Sequence, residues 1–322
     1  MKGSYEVTIQ NRRLRYRFTV FRNLTILRGD SATGKTTLIE MLRAHQAGGS
    51  ESGITVVCKK PCLVLGQVNW KENLALMKDS IVFIDEGASF ITTQDFAAAA
   101  KDSSNYYVIA TRYALPNLPY SVTEIYGIKN RAGNRYQGTK RIYSTFYPLY
   151  QEDLRTILRP DLVVTEDSNS GFTFFSHVCR EYGIECICAG GKSNIYQTVA
   201  GHPAENILVI ADGAAFGPEI EMTLSIRKVK NVGIYLPESF EWMILKSGLF
   251  KDRDMQEMLE EPSKEIESSR YFSWEQFFTE LLVQKSQGTY LQYRKTKLNP
   301  VYLQEREMET IKAVMPEING LN

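Results

Sequence analysis

The run Gly29-Asp30-Ser31-Ala32-Thr33-Gly34-Lys35-Thr36 obeys the spacing G-x-x-x-x-G-K-[ST], directly after the apolar stretch Leu24-Thr25-Ile26-Leu27 and directly before a helical pattern. Its glycines allow consecutive backbone N–H groups to turn towards one anion. The helix that follows carries about half a positive charge at its N-terminus. Both features suit a phosphate. The expected division of labour places Lys35 on the β and γ phosphates of ATP and the Thr36 hydroxyl in the shell of a Mg²⁺ ion, with Thr37 as a second hydroxyl.

An acidic pair closes another strongly apolar run. Ile81-Val82-Phe83-Ile84 leads into Asp85-Glu86, so both carboxylates are expected at the C-terminal edge of a parallel sheet, where ligands of such sheets bind. Asp85 would hold the Mg²⁺ shell, and Glu86 would orient or deprotonate an attacking water. Phosphoryl transfer needs mainly positioning and compensation of charge. A further apolar run, 106–110, ends in Thr111-Arg112; this resembles the polar sensor position of P-loop ATPases, which would put Thr111 on the terminal phosphate, and a plain solvated strand end is the alternative. Arg112, Arg131, Arg135 and Arg141 are all candidates for the cation that offsets transition-state charge. Gln67, just past the run 62–65, is a further polar residue near a strand end.

A second constellation lies in the other half. Glu166-Asp167 follows Val163-Val164-Thr165, Gly190-Gly191-Lys192-Ser193 follows 186–188, and Asp212-Gly213 follows Leu208-Val209-Ile210. On adjacent parallel strands Glu166 and Asp212 would converge on a hard cation such as Mg²⁺, with 190–193 admitting a phosphate. Glu166 is then both a metal ligand and a catalytic carboxylate. The alternative is loop and helix-capping chemistry for Glu166 and Asp167 ahead of Ser168-Asn169, and a plain turn at Asp212-Gly213.

These residues require an α/β scaffold to position them. Residues 5–9 and 14–20 alternate on either side of Asn11-Arg12-Arg13, the pattern of an antiparallel hairpin. Strands 54–58, 62–65, 80–85 and 106–111 then intersperse with helices 35–44, 70–77 and 93–101, a rhythm that implies a parallel sheet. Residues 130–160 turn rich in Gly, Arg, Tyr and Gln, read as a hairpin extension followed by a boundary between domains 1–150 and 151–322. Strands 162–165, 184–188, 207–211 and 232–236, with helices 171–182, 196–200 and 218–229, make a second and smaller parallel unit. A helical C-terminal tail follows Lys251, with a capping box at Ser273 and Gln276 and a last helix opened by Asn299-Pro300. Tyr290, Tyr293, Arg294, Lys295 and Lys297 in this tail suit either stacking and phosphate contact with nucleic acid or packing against the second domain.

The 322 residues suffice for two cores, and 43% hydrophobic with 23% charged residues excludes disordered, collagen-like and disulfide-scaffold classes. A net charge of +1 excludes a strong global field but not a local basic surface. Met1-Lys2-Gly3-Ser4-Tyr5-Glu6 turns polar too early for a secretory signal, and no run approaches the roughly 18 apolar residues of a membrane span. A soluble, cytoplasmic protein without a membrane partner is the expectation. The cysteines agree: Cys58, Cys62, Cys179, Cys186 and Cys188 form no C-x-x-C pair, and Cys186 and Cys188 read as reduced residues on the buried face of one strand.

On these motifs residues 1–150 resemble an ATPase domain of the P-loop superfamily, a P-loop NTPase sheet of ABC- or AAA-like type. Residues 29–36 stand at the Walker A position and Asp85-Glu86 at Walker B. The hairpin ahead of the phosphate loop is similar to that of ABC-type and repair-type ATPases. No Leu-Ser-Gly-Gly-Gln signature lies between the two motifs, however, and their short spacing argues against a transport role. The second unit resembles a Toprim domain, in which a Glu after the first strand and an Asp-x-Asp after the third bind Mg²⁺ for phosphodiester chemistry. Glu166 and Asp212 match; Ala214 replaces the second Asp, and Glu219, Glu221, Glu238 and Glu241 are candidates to compensate. A P-loop ATPase followed by a Toprim-like unit is the order of OLD-type nucleases, which commonly serve in defence against phage. The resemblance implies Mg²⁺-dependent ATP hydrolysis that gates an activity on nucleic acid, with a second copy or a separate effector protein as possible partners. The alternative is a nucleotide-gated binding or scaffold protein whose Toprim-like unit is inactive. A small-molecule kinase would need an acceptor pocket that no sequence feature names.

Overall fold

Alternation and continuity separate two kinds of strand in the first half of the chain. In the computed structural model, which describes residues 1–29, 34–133, 141–150 and 159–316, β1 (Tyr5–Gln10) and β2 (Leu14–Val20) pair antiparallel and, apart from the buried Thr8, bury alternate side chains. β3 (Leu24–Leu27) is instead buried at every position. After it come α1 (Lys35–Gly48), β4 (Thr55–Val57), β5 (Cys62–Leu65), α2 (Trp70–Leu76), β6 (Ile81–Ile84), α3 (Gln94–Lys101) and β7 (Tyr106–Ala110). β6 and β7 are, like β3, fully buried, as expected of parallel strands covered on both faces. β8 (Ile125–Gly133) and β9 (Arg141–Pro148) form the expected second antiparallel pair.

All nine strands belong to one mixed sheet, ordered β4-β1-β2-β9-β8-β3-β7-β6-β5. Its two edge strands are consecutive in the chain, and only residues 58–61 join Val57 to Cys62. A flat sheet would hold these edges about 38 Å apart at about 4.8 Å per strand. Five extended steps reach about 18 Å at most. The sheet therefore curls until it nearly closes.

The second half builds a separate four-stranded sheet from β10 (Leu162–Thr165), α4 (Ser170–Glu181), β11 (Glu185–Cys188), α5 (Ile195–Gly201), β12 (Asn206–Ile210), α6 (Ile220–Ser225) and β13 (Asn231–Tyr235). Its order is β11-β10-β12-β13, and all pairs are parallel. α7 (Phe240–Lys246), α8 (Arg253–Glu260), α9 (Trp274–Ser286) and α10 (Glu305–Lys312) follow. No helix among the described residues is long and apolar enough to cross a membrane.

The chain divides into two units, Met1–Tyr150 with Pro262–Phe272 and Gln151–Glu261 with Ser273–Asn322. Residues 262–272, read from sequence as part of the second domain, thus belong to the first. Backbone bonds explain why: Gly3 donates to the Ser263 carbonyl (2.6 Å), and Ser268 donates to the Met1 carbonyl (2.9 Å).

Local chemistry departs from expectation at four places. The single helix expected at 218–229 is a short α6 flanked by tighter 3₁₀ turns, Gly217–Glu219 and Ile226–Lys228. Ser273 is the N-cap of α9, but its hydroxyl accepts no cap bond and is buried without a hydrogen-bond partner, so the capping box does not form. Asn299 caps a 3₁₀ turn, Pro300–Leu303, and α10 begins only at Glu305. Cys186 and Cys188 are half-buried because β11 is an edge strand, so they do not join the core.

Candidate functional site

In the first unit β3, β7 and β6 stand side by side and parallel, in register Leu27 with Ala110 and Ile84 with Ile109. Their C-terminal ends therefore deliver Gly29, Thr111 and the pair Asp85-Glu86 to one edge of the sheet. α1 starts at this edge. Its N-cap, Gly34, sits in the left-handed region at φ 100°, and its carbonyl accepts from the Leu38 N–H (3.0 Å) and the Tyr16 hydroxyl (2.8 Å). Lys35 is only 4% exposed, and its ammonium donates back to the Gly29 carbonyl. Thr36 and Thr37 are exposed in the first turn of α1. Asp30, Ser31, Ala32 and Thr33 lie outside the described residues.

Each acid of the pair meets an arginine. Arg43 of α1 reaches Asp85 Oδ2 at 3.5 Å, and Asp85 Oδ1 accepts the Glu86 N–H at 2.9 Å. Arg112, at the end of β7, grips Glu86 with two donors at 3.2 and 2.9 Å. The Arg112 hydrogen bond holds the Glu86 carboxyl below its ordinary range, and the charge of Lys35 adds to the effect. Thr111 is buried, and its hydroxyl exchanges bonds with the backbone of Tyr113 at 3.0 and 3.1 Å. Gln67 bonds reciprocally with Ser89, at 2.9 and 3.0 Å, and so ties the segment after β5 to the segment after the acid pair. Of the arginine candidates, Arg112 is the one placed against these acids. Arg131 and Arg141 belong to β8 and β9, and Arg135 lies outside the described residues.

In the second unit the register Thr165 with Ile210 brings Glu166 and Asp212 to one sheet edge. Glu166 Oε2 accepts the Asp212 N–H at 3.3 Å. Both line a cavity with Asp167, Glu241, Tyr293 and Lys295. The Tyr293 hydroxyl donates to Glu241 Oε1 at 2.8 Å, while Oε2 of the same carboxylate, in a residue 2% exposed, has no hydrogen-bond partner. The Lys295 ammonium pairs with Glu275 of α9.

Burial sets the electrostatics of this pocket. It pushes Glu166 up to about 7 and, with Glu275, Glu241 and Glu166 adding repulsion, raises Asp212 well above the carboxylate range. Burial opposes the charge of Lys295, yet the carboxylates of Glu275, Glu241 and Asp212 outweigh it and raise that group too. Acids thus exceed cations in this half-buried site. An added cation or protons would relieve the excess. Among the described residues no group of three or more His, Cys, Asp or Glu side chains is arranged to hold one metal ion. Two carboxylates, however, are what Mg²⁺ commonly takes, keeping waters in its other positions.

Several expectations for this half need correction. Ala214 is buried behind a tight seam: the Gly213 N–H bonds the Pro237 carbonyl at 2.6 Å, and the Ala214 N–H bonds that of Glu238 at 3.2 Å. Among the four acids that might replace a carboxylate there, Glu241 lines the cavity, whereas Glu219, Glu221 and Glu238 do not. The loop 190–193 is not part of the cavity lining either. Its Gly191 N–H is engaged by the Glu166 carbonyl (2.7 Å) and its Lys192 ammonium by the Ala215 carbonyl (2.8 Å), so these two donors brace the fold. Of the two roles read for the tail, Tyr293 and Lys295 take the packed one, lining this cavity. Glu275 was not anticipated, since nothing in its own sequence neighbourhood distinguishes it from any acidic residue in a first helical turn.

Comparison of the sequence with protein-family models and with curated proteins returns no match.

Proposed function

We propose that this chain is a Mg²⁺-dependent ATPase of the P-loop type whose nucleotide cycle gates a Toprim-like second unit acting on nucleic acid, as in OLD-type nucleases. The observation that carries this reading is the convergence of Gly29, Lys35, Thr111, Asp85 and Glu86 at one edge of three adjacent parallel strands. A triphosphate entering there replaces the Gly29 carbonyl as partner of the Lys35 ammonium. Mg²⁺, when bound, neutralises phosphate charge and orders the triphosphate. Exposed Thr36 and half-buried Asp85 are the hard oxygen ligands suited to it. Glu86, kept ionised by Arg112, is a weak proton acceptor. Its part is to orient the attacking water, and Arg112 must let go before it can accept a proton.

The test is calorimetry with a non-hydrolysable ATP analogue and Mg²⁺. Lys35→Ala removes a charge-assisted contact and weakens binding about 100-fold, on the order of 3 kcal/mol. Glu86→Gln keeps the affinity and stalls turnover. Equal affinities for wild type and Lys35→Ala overturn the assignment.

Two observations favour a scaffold as the second reading: Ala214 stands where a metal-binding acid is expected, and Lys295 already provides a cation in the pocket. Incubation with labelled DNA and RNA, Mg²⁺ or Mn²⁺, and ATP separates the two. Cleavage lost in Glu166→Ala and Asp212→Ala supports the nuclease; binding without cleavage supports the scaffold.

A further inference from the structure

β1, β2, β9 and β8 are neighbours in the nine-stranded sheet, and their two faces differ in kind. Val7, Ile9, Tyr16, Phe18 and Ile128 point into the core of the first unit. Alternation sends the residues between them to the opposite face. Strand register then arranges those residues in rows. Gln10, Arg15, Tyr143 and Arg131 are successive partners across the four strands, and Thr8, Arg17, Thr145 and Lys129 form the next row. Tyr143 is therefore flanked by a guanidinium-bearing residue on each neighbouring strand, about 5 Å away along the sheet. Arg141, two residues before it on the same face, holds its guanidinium 6.0 Å from the Tyr143 ring centre. Tyr147 continues the line, its ring lying over Gly127, where a β carbon would come within 2.6 Å of it.

The outer face thus presents Arg15, Arg17, Lys129, Arg131 and Arg141. Among its described residues on these strands the one acid is Glu6, paired with Arg17 at 2.8 Å. In a chain of net charge +1 this is a local concentration of positive charge. Tyr143 and Tyr147 leave 41% and 42% of their surface in solvent. Cations alone would suit any polyanion. Aromatic rings among them add a platform that unpaired bases can stack on and that stacked bases inside a duplex cannot reach.

We propose that this face docks single-stranded nucleic acid, with bases stacked on Tyr143 and Tyr147 and phosphates held by the surrounding arginines and Lys129. The proposal rests on the nucleic-acid reading above and gives it a surface in the first unit, distinct from the carboxylate pocket of the second.

Fluorescence anisotropy on the full chain, with a labelled 20-nucleotide oligo(dT) and a duplex of equal length, tests it. Wild type binds the single strand at least tenfold more tightly than the duplex. Tyr143→Ala and Tyr147→Ala each weaken that binding about tenfold, the usual scale of one base–aromatic stack. Tyr143→Phe preserves it, because the ring and not the hydroxyl does the stacking. Arg15→Gln with Lys129→Gln flattens the dependence of log K on log salt by about 1.4. ATP-analogue binding, unchanged in all variants, reports folding; if Tyr147→Ala misfolds by uncovering Gly127, the Tyr143 and charge variants still decide. A single strand bound equally by wild type and Tyr143→Ala, or no preference over duplex, overturns the proposal while leaving nucleic-acid binding elsewhere intact. No binding of either probe by wild type overturns both readings.

Discussion

Two sheet edges in this chain carry acidic residues in the same way, on apolar parallel strands that end together, yet their acids live in opposite environments. At the first edge Asp85 meets Arg43 and Glu86 meets Arg112, and Glu86 lies below its ordinary range. At the second, Glu166 and Asp212, half-buried like the first pair, line a cavity with further carboxylates, outnumber their cations and lie above it. One topology therefore serves two electrostatic designs. At the first edge each acid already has an arginine beside it; at the second the acids outnumber the cations.

Both edges also depend on a glycine, and the two differ in what a methyl group would strike. A β carbon at Gly213 would lie 2.7 and 2.8 Å from the carbonyl oxygens of Leu236 and Pro237, which are backbone and cannot turn aside. At Gly34 the obstacle is the Tyr16 hydroxyl at 2.9 Å, and the φ of 100° adds a left-handed penalty. Gly213→Ala is expected to cost the second unit about 3 kcal/mol, the upper range for overpacking, and Gly34→Ala the first unit about 1–2 kcal/mol. Urea unfolding followed by tryptophan fluorescence distinguishes them, since Trp242 and Trp274 report on the second unit and Trp70 on the first. A larger loss at Gly34 than at Gly213 would reverse the ranking of rigidity.

The pH response sharpens the contrast further. Glu166 has its folded-state value raised from 4.5 to about 7, so folding favours its protonated form. Its stabilising contribution is complete below pH 4.5 and disappears as pH rises through about 7, a change of up to about 3 kcal/mol at 1.36 kcal/mol per unit. Wild type should therefore lose stability in its second unit over that window. Glu166→Gln, neutral throughout, should flatten the profile, and Mg²⁺ added at pH 8 should stabilise wild type more than the variant. Parallel pH profiles for the two proteins would show that burial of Glu166 is not what governs the window.

What was legible in the sequence follows the same division. Strand ends are local signals: an apolar run closed by Asp85-Glu86, Glu166 or Asp212 is visible without any tertiary information, and the parallel register then brings such ends together. Partners contributed from outside the strand ends carry no such mark. Arg43 lies in the middle of α1, Glu275 in the first turn of α9, and Lys295 in a tail whose aromatic and basic composition fitted a solvent-facing role equally well. The return of residues 262–272 to the first unit was illegible for the same reason, because it is held by individual backbone bonds to Gly3 and Met1 without any periodic pattern.

The smallest expected effect isolates one such helper. Arg112 depresses the Glu86 carboxyl chiefly through a forked hydrogen bond, so Arg112→Ala lets that value rise towards its ordinary one. If ionised Glu86 orients the attacking water, activity falls when the group is protonated, and the acidic limb of the kcat profile must move to higher pH in the variant. A stronger base also accepts a proton more readily, so turnover at neutral pH need not drop with the loss of the arginine. Were Arg112 instead the cation that offsets charge on the transferred phosphoryl group, kcat would fall at every pH and the limb would stay where it was. The profile of Arg112→Ala therefore separates an arginine that tunes its neighbouring acid from one that acts on the substrate; in the second unit the corresponding cation, Lys295, also lowers its neighbour Asp212 but is outweighed there by burial and the surrounding carboxylates.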